Sequence, residues 1–573
     1  MIPDDALLTD ILSARAAADP DRVAYRFLDD DGTEADHLTY RGLHTRARSL
    51  AAALRARCAA GDRALLVFPP GLDFVIAYFG CLYAGVVAVP LSPPRRGVVR
   101  EATRAVVRDC APAAVLTVDW AREALRPALA PLCPGAWWLG VESADGPGEA
   151  EPAPIGPDTV AFLQYTSGST GAPKGVMISH RNLIANQGMI RDAFGHDRDS
   201  TVVGWAPFFH DQGLIGNVLQ PLYVGATSVL MSPATFVRRP LRWLEAISAH
   251  RAHSSGGPNF AFEACVERAA GADLSGLDLS SWRVAFNGAE PIRADTIARF
   301  TETFAPCGFR PEAMYPCYGL AEATLLVSGA GRGRGPRTVV ADVDALGAGR
   351  LAPARASGRA LVGSGAVLAG ETVRVVDPVS TRRLPEGRVG EIWVRGDHVS
   401  RGYWQRPATT AERLRARRAD EDGEWLRTGD LGALHDGELF VVGRRDDLMI
   451  VRGRNHYPQD VEATAQAAHP AVRAGAVAAF TVSEAGRPRL IVVAEIRRER
   501  LGAHPAEVAG ALRAAVLREH DLAVGDLVLT VPGEVERTSS GKIMRAAARA
   551  RYTADGFTRW PVAPAVTTQR SSS

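Results

Sequence analysis

Hydrophobic and polar positions alternate in two rhythms along the chain. Stretches such as Leu38 to Ala60 bring apolar residues back at three- to four-residue spacing among polar ones, which predicts amphipathic helices. Between them stand short apolar runs, among them Arg63 to Phe68, Ala113 to Val118 and Ser228 to Met231, which predict buried strands. This alternation predicts α/β layers. The residues from Phe74 to Leu91 carry no charge and approach the length that spans a bilayer. Gly85 divides them into a helix-patterned stretch, Leu72 to Ala84, and a strand-patterned Val86 to Val89 closed by Pro90. A helix of about 13 residues reaches only about 20 Å, against about 30 Å of hydrocarbon, so two buried elements are predicted and no transmembrane segment.

The rhythm changes downstream. Gly329 to Pro336 and the Ala/Gly/Arg-rich Gly347 to Gly365 read as a loop or an insertion. Strands are expected at Thr372 to Val376, Gly390 to Gly396 and Glu438 to Val442, then at Ala476 to Val482 and Leu490 to Ile496, with a helix from Pro505 to about Glu519. The expected fold is α/β multidomain: a large N-terminal domain (1–443) of α/β layers with a smaller β-rich subdomain, and a small mobile α+β C-terminal domain (444–560). Residues 561–573 read as a disordered tail. A length of 573 residues agrees with more than one domain.

Composition excludes more than it assigns. With 66 basic and 64 acidic side chains the net charge is +2, which gives no broad field for nucleic acid or an anionic membrane. The seven cysteines have no zinc or redox spacing, and Met1 to Asp10 has three aspartates and no basic residue. Reduced thiols and a cytoplasmic location are expected.

Chemistry enters where the strand-patterned Val160 to Gln164 runs into YTSGSTGAPKG, Tyr165 to Gly175. Backbone N–H groups freed by glycine, the hydroxyls of Thr166, Ser167, Ser169 and Thr170, and the charge of Lys174 suit phosphate oxygens. Gly168 and Gly171 give the turn its close approach. It is not the nucleotide-binding P-loop of ATPases: Lys174 follows Pro173, and Gly175 stands where that motif has Ser or Thr.

The loop resembles the phosphate-binding signature of the adenylate-forming superfamily, which includes acyl-CoA synthetases, amino-acid adenylation domains and luciferases. FNGAEPI at Phe286 to Ile292, YGLAEAT at Tyr318 to Thr324, RTGDLG at Arg427 to Gly432, GRRDD at Gly443 to Asp447 and SSGKIMR at Ser539 to Arg545 match in the family's order. The resemblance implies that Gly288, Ala289 and Glu290 with Tyr318 and Gly319 hold adenine, that Asp430 and Arg444 contact the ribose, and that Glu322 holds Mg²⁺. It also implies that ATP is the cosubstrate, that Lys542 is the catalytic lysine of adenylation, and that a hinge lies at Asp446 and Asp447.

PFFHDQGLIG at Pro207 to Gly216, SSGGPNFAFEACVER at Ser254 to Arg268 and PCYGLAEATLLVSG at Pro316 to Gly329 resemble fatty acyl-AMP ligases more than general acyl-CoA synthetases. His210 stands where amino-acid-activating relatives place an aspartate for the substrate amine, which implies an acyl pocket with His210, Asp211 and Gly213 and His210 at its carboxylate end, a gating or packing histidine being the alternative. The ligase branch implies an insertion, here at about 338–363. Arg454 stands where CoA-using relatives have glycine. The implied substrate is a fatty acid and the implied acceptor a separate acyl carrier protein. An acyl-CoA synthetase, an amino-acid adenylation module and a non-catalytic binding protein remain the alternatives. Phe260 and Phe262 would suit either an acyl tunnel or a core.

Overall fold

The computed structural model describes residues 3, 5–94, 98–144, 152–166, 173–355, 358–484, 487–502, 504–538 and 541–560. The chain divides into two compact units, parting between Val442 and Gly443.

In the first unit the predicted strands assemble into two large sheets. One has six strands in the order Trp137–Gly140, Ala114–Thr117, Arg63–Leu66, Val87–Pro90, Val160–Thr166 and Lys174–Ser179, parallel except for the last pair. The other has nine strands, and its centre runs parallel through Thr201–Gly204, Ser254–Gly257, Val284–Asn287 and Met314–Gly319. Parallel strands need helical crossovers that cover both faces, and this is why the strand runs are apolar throughout. The uncharged run forms the helix Asp73–Ala84, in which every side chain from Phe74 onward is buried. Gly85 closes it with φ +68°, and the strand Val87–Pro90 follows. No described helix is long and apolar enough to cross a membrane.

Two segments hold more strand than their patterns predict. The helix expected from Leu38 starts at Tyr40 and ends at Arg55, because Glu34–Thr39 is an antiparallel strand on Val23–Leu28 and Thr39 caps the helix by accepting Gly42 N–H at 3.0 Å. Gly347 to Gly365, expected as a loop or an insertion, holds one strand of a ribbon, Arg359–Val362, which pairs with Thr338–Ala341. Leu361 and Val362 are buried there, which stabilises pairing that the surrounding glycines conceal in the sequence. A four-stranded sheet of Glu371–Val376, Gly390–Gly396, Leu426–His435 and Glu438–Arg444 forms the β-rich part.

The second unit is built on a three-stranded sheet, Val472–Glu484, Arg487–Ile496 and Val524–Thr530, packed with the helices Pro458–Ala467 and Pro505–His520. Before it, Met449–Val451 and Arg454–His456 pair through a two-residue turn. Arg452 and Gly453 both take positive φ, +51° and +77°, as a tight hairpin requires.

Phe262 is fully buried among Trp243, Trp282 and Phe300, with ring centroids 5.5, 6.4 and 5.0 Å away, whereas Phe260 is 38 % exposed. Phe262 is therefore a core residue. Phe262→Ala is expected to cost about 3–5 kcal/mol of stability, read as a lower urea midpoint in the tryptophan emission of its neighbours. Phe260→Ala should shift that midpoint far less.

Candidate active site

The motif residues of the first unit gather where strands end. Thr166 and Lys174 are register partners, Gly288 follows the strand Val284–Asn287, and Tyr318 and Gly319 finish Met314–Gly319. The His210 turn leaves the strand Thr201–Gly204, parallel to these. In open α/β sheets the crevice outside the carboxyl ends of parallel strands is the place for ligands. Ser167, Gly168, Ser169, Thr170 and Gly171 lie outside the described residues.

One group that the motifs did not single out joins two of them. The Tyr403 hydroxyl donates to Glu322 Oε1 at 2.8 Å, and Lys174 Nζ stands over the Tyr403 ring, 5.5 Å from its centre. The segment carrying Tyr403 lies along the strand that begins with Lys174. Arg401 N–H donates to Met177 O at 3.0 Å, Met177 N–H to Gly402 O at 2.8 Å, and Trp404 N–H to Gly175 O at 2.7 Å. Burial, and then the Glu322 carboxylate, push the Tyr403 hydroxyl well up, so it remains a donor. The available signal was the aromatic pair Tyr403-Trp404 after Gly402, which no periodicity explains.

Glu322 sits in the short turn Ala321–Ala323, and two constraints shape that turn. A Cβ on Gly319 would stand 1.7 Å from Leu325 O, so only glycine admits the fold-back. Thr324 takes φ +65° and its hydroxyl donates to His398 O at 2.6 Å. His398 Nε2 in turn lies 2.9 Å from Glu371 Oε2, both side chains fully buried. As a single carboxylate with one oxygen engaged by a neutral donor, Glu322 fits Mg²⁺ held largely by substrate phosphates.

A second pair joins the segments of Tyr318 and Asp430. The Tyr318 hydroxyl donates to Asp430 Oδ2 at 2.8 Å, and Asp430 N–H donates to Thr428 Oγ1 at 3.0 Å. Ala289 has φ +66°, and a Cβ on Gly288 would come within 2.9 Å of Cys317 O. The Glu290 side chain accepts Phe260 N–H at 2.7 Å, in the first turn of the helix Asn259–Ala269. The Glu290 carboxylate is thus engaged by the helix Asn259–Ala269.

The His210 turn is fixed from the phosphate-loop strand, since Gln164 Nε2 donates to Phe209 O at 2.9 Å. His210 N–H donates to Pro207 O at 3.0 Å. Asp211 Oδ1 accepts Gln212 N–H at 2.8 Å, at the start of a π-helical stretch, Gln212–Leu219. Such wide turns recur at functional sites. Asp211 therefore shapes the turn, and so does Gly213, where a Cβ would lie 2.0 Å from Pro207 O.

The remaining predicted residues belong to the second unit. Arg444 ends Glu438–Arg444, and Asp446 is exposed. Asp447 accepts Arg545 Nη1 at 2.6 Å, and Arg545 also donates twice to Glu462, at 2.7 Å each. Lys542 is exposed, with Thr538 N–H donating to Lys542 O at 2.8 Å and Lys542 N–H to Thr538 Oγ1 at 3.0 Å. Gly541 precedes it at φ +88°.

Comparison with known proteins places this geometry. A family model described as AMP-binding enzyme matches residues 12–404, and one described as Disco-interacting protein 2-like, AMP domain, matches residues 446–559. The medium-chain fatty acid–acyl-carrier-protein ligase JamA of Moorena producens is 42% identical over 99% of this chain and 98% of its own. The long-chain fatty acid–AMP ligase FadD26 of Mycobacterium marinum is 41% identical over 97% of this chain and 99% of its own. A crystal structure of the Legionella pneumophila fatty acyl-adenylate ligase with acyl adenylate and pyrophosphate superposes with a TM-score of 0.74, at 36% identity and 96% coverage of both chains.

The steric argument at the His210 turn is testable. Gly213→Ala meets backbone and is expected to lower the melting temperature and disturb the turn. In Gly216→Ala the added methyl meets only the far end of Gln212, 2.6 Å away, so this variant should melt close to the unsubstituted protein in the same fluorimetric scan.

Proposed function

The chain belongs to the AMP-binding enzyme family, in its fatty acyl-AMP ligase branch, and from that premise we propose that it joins a fatty acid to AMP and passes the acyl group to the thiol of an acyl carrier protein. The observation that carries the reading is the convergence of Lys174, Glu322, Tyr318 and Asp430 in one unit, in a chain that aligns end to end with ligases of this kind.

Each group has a task. Thr166 and Lys174 receive phosphate oxygens, the Tyr318 ring and the backbone of Gly288 and Ala289 enclose adenine, and Asp430 accepts from the ribose hydroxyls, with Arg444 as a further ribose contact. Glu322 is the ligand for Mg²⁺, which supplies neutralisation of phosphate charge. The fatty acid is ionised at neutral pH, so its carboxylate attacks the α-phosphate without a general base. Catalysis then consists of alignment and of stabilising the charge that develops as pyrophosphate departs. His210 orients the carboxylate, and Lys542 meets the developing charge.

The carrier protein is favoured as acceptor by the likeness to JamA and by Arg454, which fills a position held by glycine in CoA-using relatives. The hinge is placed at Asp446 and Asp447, the side chain of Asp447 accepting Arg545 within the second unit.

Mass spectrometry with ATP and fatty acids of varied length, offering free CoA and a holo carrier protein in parallel, should find acyl-AMP and acyl-carrier product. A CoA thioester as main product would favour an acyl-CoA synthetase. Lys542→Ala should slow adenylation about 10²- to 10³-fold with no change in melting temperature, and unchanged ATP–pyrophosphate exchange would refute its role. Asp446→Pro should slow transfer more than adenylation; equal losses in both half-reactions would count against the hinge.

A further inference from the structure

We propose that Tyr403 is a positioning residue for the metal-binding carboxylate: it fixes one oxygen of Glu322 by hydrogen bond and presents the other to the cation. The inference rests on the reading of Glu322 as the Mg²⁺ ligand.

The geometry carries it in three steps. First, Glu322 is gripped at both ends by one segment, its carbonyl accepting Ser400 N–H at 2.9 Å and its carboxylate accepting the Tyr403 hydroxyl at 2.8 Å. Second, Tyr403 is itself rigid. It is 3 % exposed, its N–H donates to Thr410 Oγ1 at 2.9 Å, and its neighbours are laddered onto Gly175 and Met177. The donor is thus held in place before any ligand arrives, which is what preorganisation of a site requires. Third, the donor is neutral. An arginine or lysine bonded directly to the carboxylate would orient it and also cancel its charge, whereas the phenol orients it and keeps the Arg413 guanidinium, which bonds the same hydroxyl, one group removed.

The same ring holds Lys174 by its face, through the attraction of an ammonium for π electrons. Carboxylate and ammonium are therefore set by different parts of one side chain. Each is kept available for a ligand of its own: the carboxylate for the cation, the ammonium for phosphate oxygens.

The test separates hydroxyl from ring. Mn²⁺ serves as the spectroscopic probe, its binding in the presence of ATP followed by electron paramagnetic resonance, alongside AMP affinity without metal, melting temperature and the Mg²⁺ dependence of adenylation. Tyr403→Phe should keep the wild-type melting temperature and AMP affinity, weaken Mn²⁺ binding about tenfold, and shift the Mg²⁺ dependence of turnover upward by a similar factor. Tyr403→Leu, which also removes the seat of Lys174, should in addition weaken metal-free ATP binding. Wild-type Mn²⁺ binding in Tyr403→Phe, with loss in Glu322→Gln, would overturn the role of Tyr403 alone. Unchanged Mn²⁺ binding in Glu322→Gln would overturn the metal assignment beneath it.

Discussion

The backbone ladder that seats residues 401–404 along Gly175–Met177 is the interaction on which the candidate site depends. It joins a segment that follows the strand Gly390–Gly396 to the strand that leaves the phosphate loop. A lysine, a carboxylate and a tyrosine from three distant stretches of chain thereby come within reach of one another. Closing such long loops has an entropic cost, and burial of Tyr403 with a run of backbone hydrogen bonds offsets it.

Close backbone approach is the second requirement. Gly319 admits the turn that carries Glu322, Gly288 lies against Cys317, and Gly213 lies against Pro207 O. At each a Cβ would collide with main chain, which cannot swing aside as the end of a side chain can. The glycines of these motifs are therefore explained by packing before any ligand is considered. Hydroxyl and carboxylate groups then complete the turns, as Thr324 does towards His398 and Asp211 towards Gln212.

Much of this was legible from residue order. The strand Val160–Thr166 stands out because an apolar run ends in a glycine-rich stretch, and the alternation of helical and strand patterns gives α/β layers. What escaped was non-local. The ribbon Thr338–Ala341 with Arg359–Val362 depends on a partner across a glycine-rich stretch, and the start of the helix at Tyr40 depends on Glu34–Thr39 finding Val23–Leu28. Tyr403 belongs to no motif used in the reading, and its importance shows only through Glu322 and Lys174. Asp447, expected at a hinge, also accepts a half-buried arginine, a contact that spacing cannot reveal.

That arginine has a mechanical consequence. Arg545 is pinned by Asp447 and Glu462 just after Lys542, and Thr538 clasps the lysine's backbone from just before it. The lysine is on a short tether with both ends fastened to the same body. Travel beyond the length of its own side chain must be travel of the whole body, a microsecond-to-millisecond event rather than a nanosecond rotamer change. Any reaction step that waits on such travel would keep the clock of the body and not of the side chain, and solvent viscosity would slow it.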